Sequence, residues 1–425
     1  MPPERPSAAL ASPAHLRSWA TAALLLAPLA ACCGSACALF LWSLDAATRI
    51  RFAHPWLLFL LPVAGWILAD LYARFGKGSG EGTHRILGEI DAPTPGASGV
   101  PRRMAVFILL GTLGTHLFGG SAGREGTAVQ MGGGIAAAFL RSTRLLGEAA
   151  RVLLLSGMSA GFGGVFGTPW AGAVFAVEIA QRSRDWRWLP VFAAAALLSD
   201  ATCRLWGIGH SAYSVAPVPR EVWESPATLL LWAGYAAGVG IISGLGARTY
   251  LAASTTCTRI LKRLFPAQGP RAAAGGVLIL GLVWLAGTRD YLGLGVLPQN
   301  SNSVTLPGFF EANGEMPPTS GLWKMIFTVV TLTSGFRGGE VTPLFFIGAA
   351  LGQAVSGVLG APPDLLAGLG MAALFGAAAR APLSCWILGM ELFGGQHALW
   401  VGVACAVAWA CSGADSLYRR PPKRA

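Results

Sequence analysis

The apolar stretches of this chain are too short and too often interrupted to make a plain bundle of membrane-crossing helices. They fall near 18–44, 53–72, 104–119, 127–140, 149–181, 188–206, 227–252, 272–288, 322–335, 341–360, 364–378, 383–393 and 398–411. A full crossing needs about 20 apolar residues. The outer stretches reach that length, but many inner ones are shorter and broken by Gly or Pro. Broken helices survive at membrane depth only where the loosened backbone is buried in protein or lines a pathway. The alternative of a water-soluble enzyme is excluded by composition. Only 12% of the residues are charged, half the roughly 25% of a soluble domain. The fold class is therefore an all-α polytopic membrane protein. Disorder is excluded too, because the 57 Gly and 27 Pro sit among long apolar runs.

The 31 Lys and Arg outweigh the 20 Asp and Glu by 11 charges. In a membrane protein that excess reads as the positive-inside bias and not as a nucleic-acid footprint. Arg5 and Arg17 precede the first apolar run, and Arg419, Arg420, Lys423 and Arg424 close the chain. Arg74, Lys77, Arg85, Arg102 and Arg103 cluster in one polar stretch, and Arg182, Arg184 and Arg187 in another. Both termini and these loops are expected on the cytoplasmic side. The N-terminal run is too long for a signal peptide and reads as uncleaved. The eight cysteines contain no Cys-x-x-Cys pair and read as small buried hydrophobes. No metal or other cofactor is expected.

The chain also repeats itself. Glu125-Gly126-Thr127 and Glu340-Val341-Thr342 share the form Glu-x-Thr after a Gly-rich turn, 215 residues apart. Pro169 stands nine residues before Glu178 and Pro382 nine before Glu391, each pair displaced by 213. Two halves with broken helices at matching places suggest a transporter or channel built from structural repeats. The expected organisation is a tail at 1–17, a first repeat at 18–206, a polar linker at 207–226, a second repeat at 227–412 and a tail at 413–425. The small-xxx-small pairs Gly234/Gly238 and Gly240/Gly244 read as helix packing.

The sharpest chemical signal is the segment from Gly119 to Thr127, which links two apolar stretches and so lies at membrane depth. A helix that starts after it points unpaired backbone N–H groups outward, which makes an anion site in a low-dielectric setting. Glu125 is an intramembrane carboxylate and by default a functional residue; the plainer reading is a helix cap paired with Arg124. The matching segment, Gly335 to Pro343, carries Glu340, and the Thr342 hydroxyl is placed to donate to an anion or relay a proton. Glu178, Glu391 and His116 read as structural, the first two by satisfying backbone groups or arginines. Gly157-Met158-Ser159-Ala160-Gly161 matches the nucleophile elbow Gly-x-Ser-x-Gly, but that motif needs a strand before it. Helical flanks make a membrane-embedded serine hydrolase the weaker reading, and no enzyme activity is expected.

These residues resemble the CLC family of anion channels and anion/proton antiporters. Gly123-Arg124-Glu125-Gly126-Thr127-Ala128-Val129-Gln130 is similar to the family's G-R-E-G-P-x-V-Q motif, with Thr127 in place of the usual Pro. Gly338-Gly339-Glu340-Val341-Thr342-Pro343 stands where the chloride branch has G-G-x-F-x-P, and Tyr418 where the family places its anion-contacting tyrosine. The match runs from about Gly76 to Tyr418. The resemblance implies a homodimer of subunits with inverted halves and many short, broken and tilted helices. It implies anion contacts from Gly123, Arg124, Gly126, Thr127, Val341, Thr342 and Tyr418, with Glu125 as gate and proton carrier. It also implies that Glu340 and Thr342 form a second polar track. Thr127, the Glu-Val-Thr-Pro run and Ile179, in place of the exchangers' internal acid, resemble the fluoride-exporting branch. The expected activity is fluoride/proton antiport in a bacterial inner membrane, with a chloride channel or chloride/proton exchanger as the alternative. Gly78-Ser79-Gly80 resembles the chloride branch's G-S-G-I-P, but Glu81-Gly82-Thr83-His84 follows, so the anion contact within 79–84 is left open.

Overall fold

The structure, a computed structural model, describes residues 13–96, 99–180, 184–311 and 316–418. The tail arginines and lysine, Arg5, Arg419, Arg420, Lys423 and Arg424, and Arg182 lie outside the described residues. Among the described residues the helices are α1 (Pro13–Ala53), α2 (Leu61–Phe75), α3 (Thr83–Ile90), α4 (Met104–Leu117), α5 (Glu125–Thr143), α6 (Gly147–Phe166), α7 (Pro169–Ile179) and α8 (Leu189–Leu205). A stretch with little regular structure leads through the single turn α9 (Glu221–Glu224) to α10 (Pro226–Leu264). Then come α11 (Gln268–Ala286), α12 (Ser320–Ser334), α13 (Val341–Leu359), α14 (Pro363–Ala379), α15 (Pro382–Phe393) and α16 (Ala398–Cys411). No strand is present among the described residues.

Helix lengths vary as the broken hydropathy pattern requires. Among the described residues, seven helices are long and apolar enough to cross a membrane, Arg17–Ala53 and Pro226–Leu264 being two of them. The 39-residue α10 is about 58 Å long, twice the roughly 30 Å hydrocarbon core, so it tilts or extends into water. The 11-residue α7 reaches only about 17 Å and ends within the protein. The apolar stretch 149–181 is two helices and not one. It breaks at Gly167, whose φ of +71° suits a residue without Cβ, and restarts on Pro169 in the first helical turn.

The inner helices have no polar face. From Val152 to Phe166 every residue of α6 is buried, and so is every residue of α14 from Leu365 to Ala379. The outward face is apolar as well: Leu205, Trp284 and Leu230 are 87%, 85% and 73% exposed. An apolar rim around a core of small residues is the pattern of a bundle solvated by lipid. Glycines let the inner helices touch. A Cβ on Gly132 would strike the carbonyl of Gly157, and one on Gly348 that of Gly370, so the α5–α6 and α13–α14 crossings match. Gly240 and Gly244 press on Ala404 and Ala408 of α16, whereas Gly234 and Gly238 have no neighbour within 4 Å.

The two halves lock by exchanging caps. The Glu178 carboxylate, near the end of α7, accepts the N–H groups of Leu383 (3.2 Å) and Ser384 (2.7 Å) at the start of α15. The Glu391 carboxylate, near the end of α15, accepts those of Trp170 (3.1 Å) and Ala171 (2.8 Å) at the start of α7. Each anion fills orphan donors where the helix dipole favours negative charge. The matching Pro–Glu spacings thus become a reciprocal pair of antiparallel helices. His116 is fully buried, its ring nitrogens 2.8 and 3.0 Å from the carbonyls of Thr112 and Ala122. Ser159 is also fully buried and donates to the Phe192 carbonyl at 3.0 Å from mid-helix, with no strand ahead of it.

Candidate functional site

The Gly-rich turns of the two halves meet at the centre of the fold. Gly123 and Gly339 form an isolated antiparallel bridge: Gly123 N–H donates to Gly339 O at 2.6 Å and Gly339 N–H to Gly123 O at 2.8 Å. Only residues with little side chain fit here. A Cβ on Gly339 would lie 2.9 Å from the Gly126 nitrogen, and one on Gly123 2.9 Å from the Thr342 nitrogen. The bridge therefore brings the starts of α5 and α13 face to face. The first intrahelical bonds are Ala128 N–H to Arg124 O and Leu344 N–H to Glu340 O. Helix geometry alone leaves the N–H groups of residues 125–127 and of 341 and 342 without an intrahelical partner; Pro343 has none to offer. Two positive helix ends at one point form a cradle for negative charge.

Glu125 supplies that charge in this structure. It is 2% exposed. Its carboxylate accepts a short hydrogen bond from the Thr342 hydroxyl and pairs with the Arg124 guanidinium at 3.2 Å. The Thr342 oxygen in turn accepts the Arg124 N–H at 3.2 Å. Arg124 also donates to Ser211, in the stretch between the halves, at 3.1 Å. The capping pair Arg124–Glu125 and the cross-half contact to Thr342 are thus both present.

On the other side of the bridge lies a cavity of about 780 Å³, lined among others by Ser79, Gly126, Arg337, Glu340 and Tyr418. Lys77, Lys262 and Arg271 also line it, with Glu81, so cations outnumber acids along its wall. Ser79 turns its hydroxyl to the Gly76 carbonyl at 2.6 Å. The Gly80 carbonyl accepts from Arg337 at 2.8 Å, and the Arg337 guanidinium lies 4.4 Å from the centre of the Tyr72 ring.

The sequence-derived residues are partly gathered. Gly123, Arg124, Glu125, Gly126, Val341 and Thr342 sit at the crossing. Glu340 and Tyr418 line the cavity. The Tyr418 ring packs edge-on against Phe175 at 5.6 Å between centroids, and Tyr250 of α10 is fully buried. The Thr127 hydroxyl turns aside to Thr112 of α4, at 3.1 Å. Tyr72, Thr112, Tyr250 and Arg337 carry no motif, and only the tertiary arrangement marks them.

The comparisons with known proteins agree with this arrangement. A family profile described as "Voltage gated chloride channel" matches residues 60–413. A "Chloride/fluoride channel protein" of Pseudomonas syringae pv. tomato is 41% identical over 413 residues, covering 95% of this chain and 86% of that protein. The "H(+)/Cl(-) exchange transporter ClcA" of Cronobacter sakazakii is 27% identical, with 80% and 74% covered. Among solved structures, that of a "CLC-type fluoride/proton antiporter" superposes with a TM-score of 0.83 at 31% identity, over 96% of this chain and 98% of that one. Broken helices, crossed Gly-rich turns and a profile match over most of the length lead to one assignment: this chain belongs to the CLC, or voltage gated chloride channel, family of membrane anion transporters.

Proposed function

We propose that this chain is a fluoride/proton antiporter that moves fluoride out of the cytoplasm. The observation that carries the reading is the hold of Thr342, from the second half, on the Glu125 carboxylate between two positive helix starts. A carboxylate and a fluoride ion are both small, hard hydrogen-bond acceptors, so the same donors serve either. Ionised Glu125 occupies the cradle and excludes the anion. A proton on Glu125 removes the charge that holds it, the side chain leaves, and fluoride takes its donors. Proton and anion then exchange through one region in opposite directions.

Fluoride binds water strongly, so a pathway for it must supply strong donors. The Thr342 hydroxyl and the N–H groups of Gly126 and Val341 offer them at the crossing, with Gly123, Arg124 and Thr127 shaping the turn. The Tyr418 hydroxyl offers another on the wall of the cavity, where Glu340 is placed to take up or release the proton. The fluoride reading is further supported by the names of the chloride/fluoride channel protein and the fluoride/proton antiporter that this chain resembles over most of its length. The same reading includes a homodimer in a bacterial inner membrane with both termini cytoplasmic, and the repeat, linker and tail boundaries given by the sequence.

The test is anion efflux from liposomes holding the purified chain, loaded with fluoride or chloride and read with an anion electrode and an internal pH dye. Fluoride efflux coupled to proton uptake, with chloride far slower, is the expected result. Equal chloride movement would replace fluoride export with chloride/proton exchange, and anion flux without any pH change would make the chain a channel.

A further inference from the structure

A second cluster of cations lies at the opposite ends of α2 and α11 from the large cavity. These helices run antiparallel, with Gly276 against Pro62 and Gly269 against Trp66. Their cavity ends carry Gln268 and Arg271; their far ends meet the last turn of α1 and the loop after α11. Arg51, in that last turn, is 7% exposed, and its Nε has no hydrogen-bond partner. Arg289 donates to the Pro55 carbonyl at 3.4 Å and lines the same small cavity as Arg51. Lys324 is fully buried beside them, held by the carbonyls of Tyr291 (3.2 Å) and Gly293 (2.7 Å).

No carboxylate forms an ion pair with any of the three among the described residues. The nearby Asp290 carboxylate instead accepts the Val304 N–H at 3.1 Å. Arg51 is the buried member of the group that lacks an acceptor: its guanidinium lies over the Phe52 ring at 5.0 Å, and an unpaired buried charge costs several kcal/mol, so Arg51 calls for an anion. The space beside it sets the anion's size. Thr48, Arg51, Arg289, Asp290, Gln299 and Ser303 line a cavity of about 20 Å³. One water-sized particle needs roughly 10–15 Å³, so a monatomic anion fits there. Gly293 has φ +60° and no Cβ, and a Cβ there would lie 2.9 Å from Arg51 Nη2.

We propose that Arg51 and Arg289 form a one-ion halide site distinct from the Glu125 crossing. It adjoins the turn that leads to Glu125: Gly293 N–H donates to Gly120 O at 3.1 Å, and a Cβ on Gly119 would lie 3.8 Å from Arg51 Cδ. An ion there acts on the loop that positions the gate, without occupying the gate's own cradle.

Calorimetric titration of the purified full chain with sodium fluoride and with sodium chloride tests the site. Two binding components are expected in the wild type. Arg51→Met should weaken one of them at least about tenfold, the size of a lost charge-assisted bond, and leave the other. Thr342→Val should do the reverse. Arg289→Gln, at a partly exposed position, repeats the test should Arg51→Met fail to fold. An isotherm unchanged by both arginine variants overturns the proposal. So does competition by inorganic phosphate as strong as that by the halides, because it would mark a lipid-headgroup pocket. A component that is lost with Arg51→Met and untouched by Thr342→Val supports this site even if the reading of the Glu125 crossing fails.

Discussion

The two Gly-rich turns are copies by sequence and partners by contact, yet they hold their carboxylates differently. In the first half Glu125 is the first residue of its helix, sealed from solvent and tied to Arg124 and Thr342. In the second half Glu340 is the residue before its helix and faces the large cavity. One register step separates a carboxylate held at the crossing from one that lines the cavity. The helix dipole acts on both, and under the proposed function only Glu125 competes with the anion. A repeat therefore supplies two similar helix ends, and a one-residue offset gives their carboxylates different surroundings.

The strongest way to break this contrast is to neutralise each acid in turn. Glu125→Gln keeps the shape and removes the proton site. Proton movement coupled to fluoride should fall at least about 100-fold, the usual scale for loss of a proton-transferring group, as read by the pH dye during efflux. Glu340→Gln should slow coupled transport about tenfold, because it removes a relay from the cavity and leaves the gate intact. Equal losses in the two variants would show that the offset has no consequence. Thr342→Val tests the link between the halves. It removes the donor to a buried carboxylate, a bond worth about 1.5–3 kcal/mol. Apparent fluoride affinity should fall at least about tenfold while proton coupling persists, since Glu125 is still present.

How much of this was legible in the sequence follows from which contacts are local. The helix starts at Glu125 and Val341 are local conformational matters, so the Gly-rich turns and the Glu-x-Thr repeat show them. The apolar pattern located most of the helices but merged α6 with α7, because hydropathy does not register a turn made by a Gly and a buried Thr. The meeting of Gly123 with Gly339 joins residues 216 positions apart and is visible only through the symmetry of the two turns. Thr127 illustrates the limit. Its motif position suggests an anion contact, but its hydroxyl pairs with Thr112, a residue that no spacing connects to it. Arg337 over Tyr72 and the Arg51–Arg289 cluster likewise depend on helices far apart in the chain.

Where the two turns diverge, the two caps do not, and they offer the finest test of the symmetry. Glu178 and Glu391 each accept two backbone N–H groups from the partner helix. A glutamine keeps one acceptor oxygen and turns an NH2 donor toward the second N–H. Each substitution thus loses one charge-assisted bond and opposes two donors. The cost should be about 1–2 kcal/mol per site, measured as a drop in thermal unfolding midpoint in detergent. Glu178→Gln should cost more than Glu391→Gln, because Glu178 is only 4% exposed and water cannot repair its partners. Neither should alter the proton-to-fluoride ratio, since both caps lie apart from the Glu125 cradle. The double variant should cost less than the sum of the two, because α7 and α15 hold each other and the second cap has less to lose once the pair has loosened. Strict additivity would mean that the halves are pinned independently, and a changed coupling ratio would mean that the caps belong to the transport path.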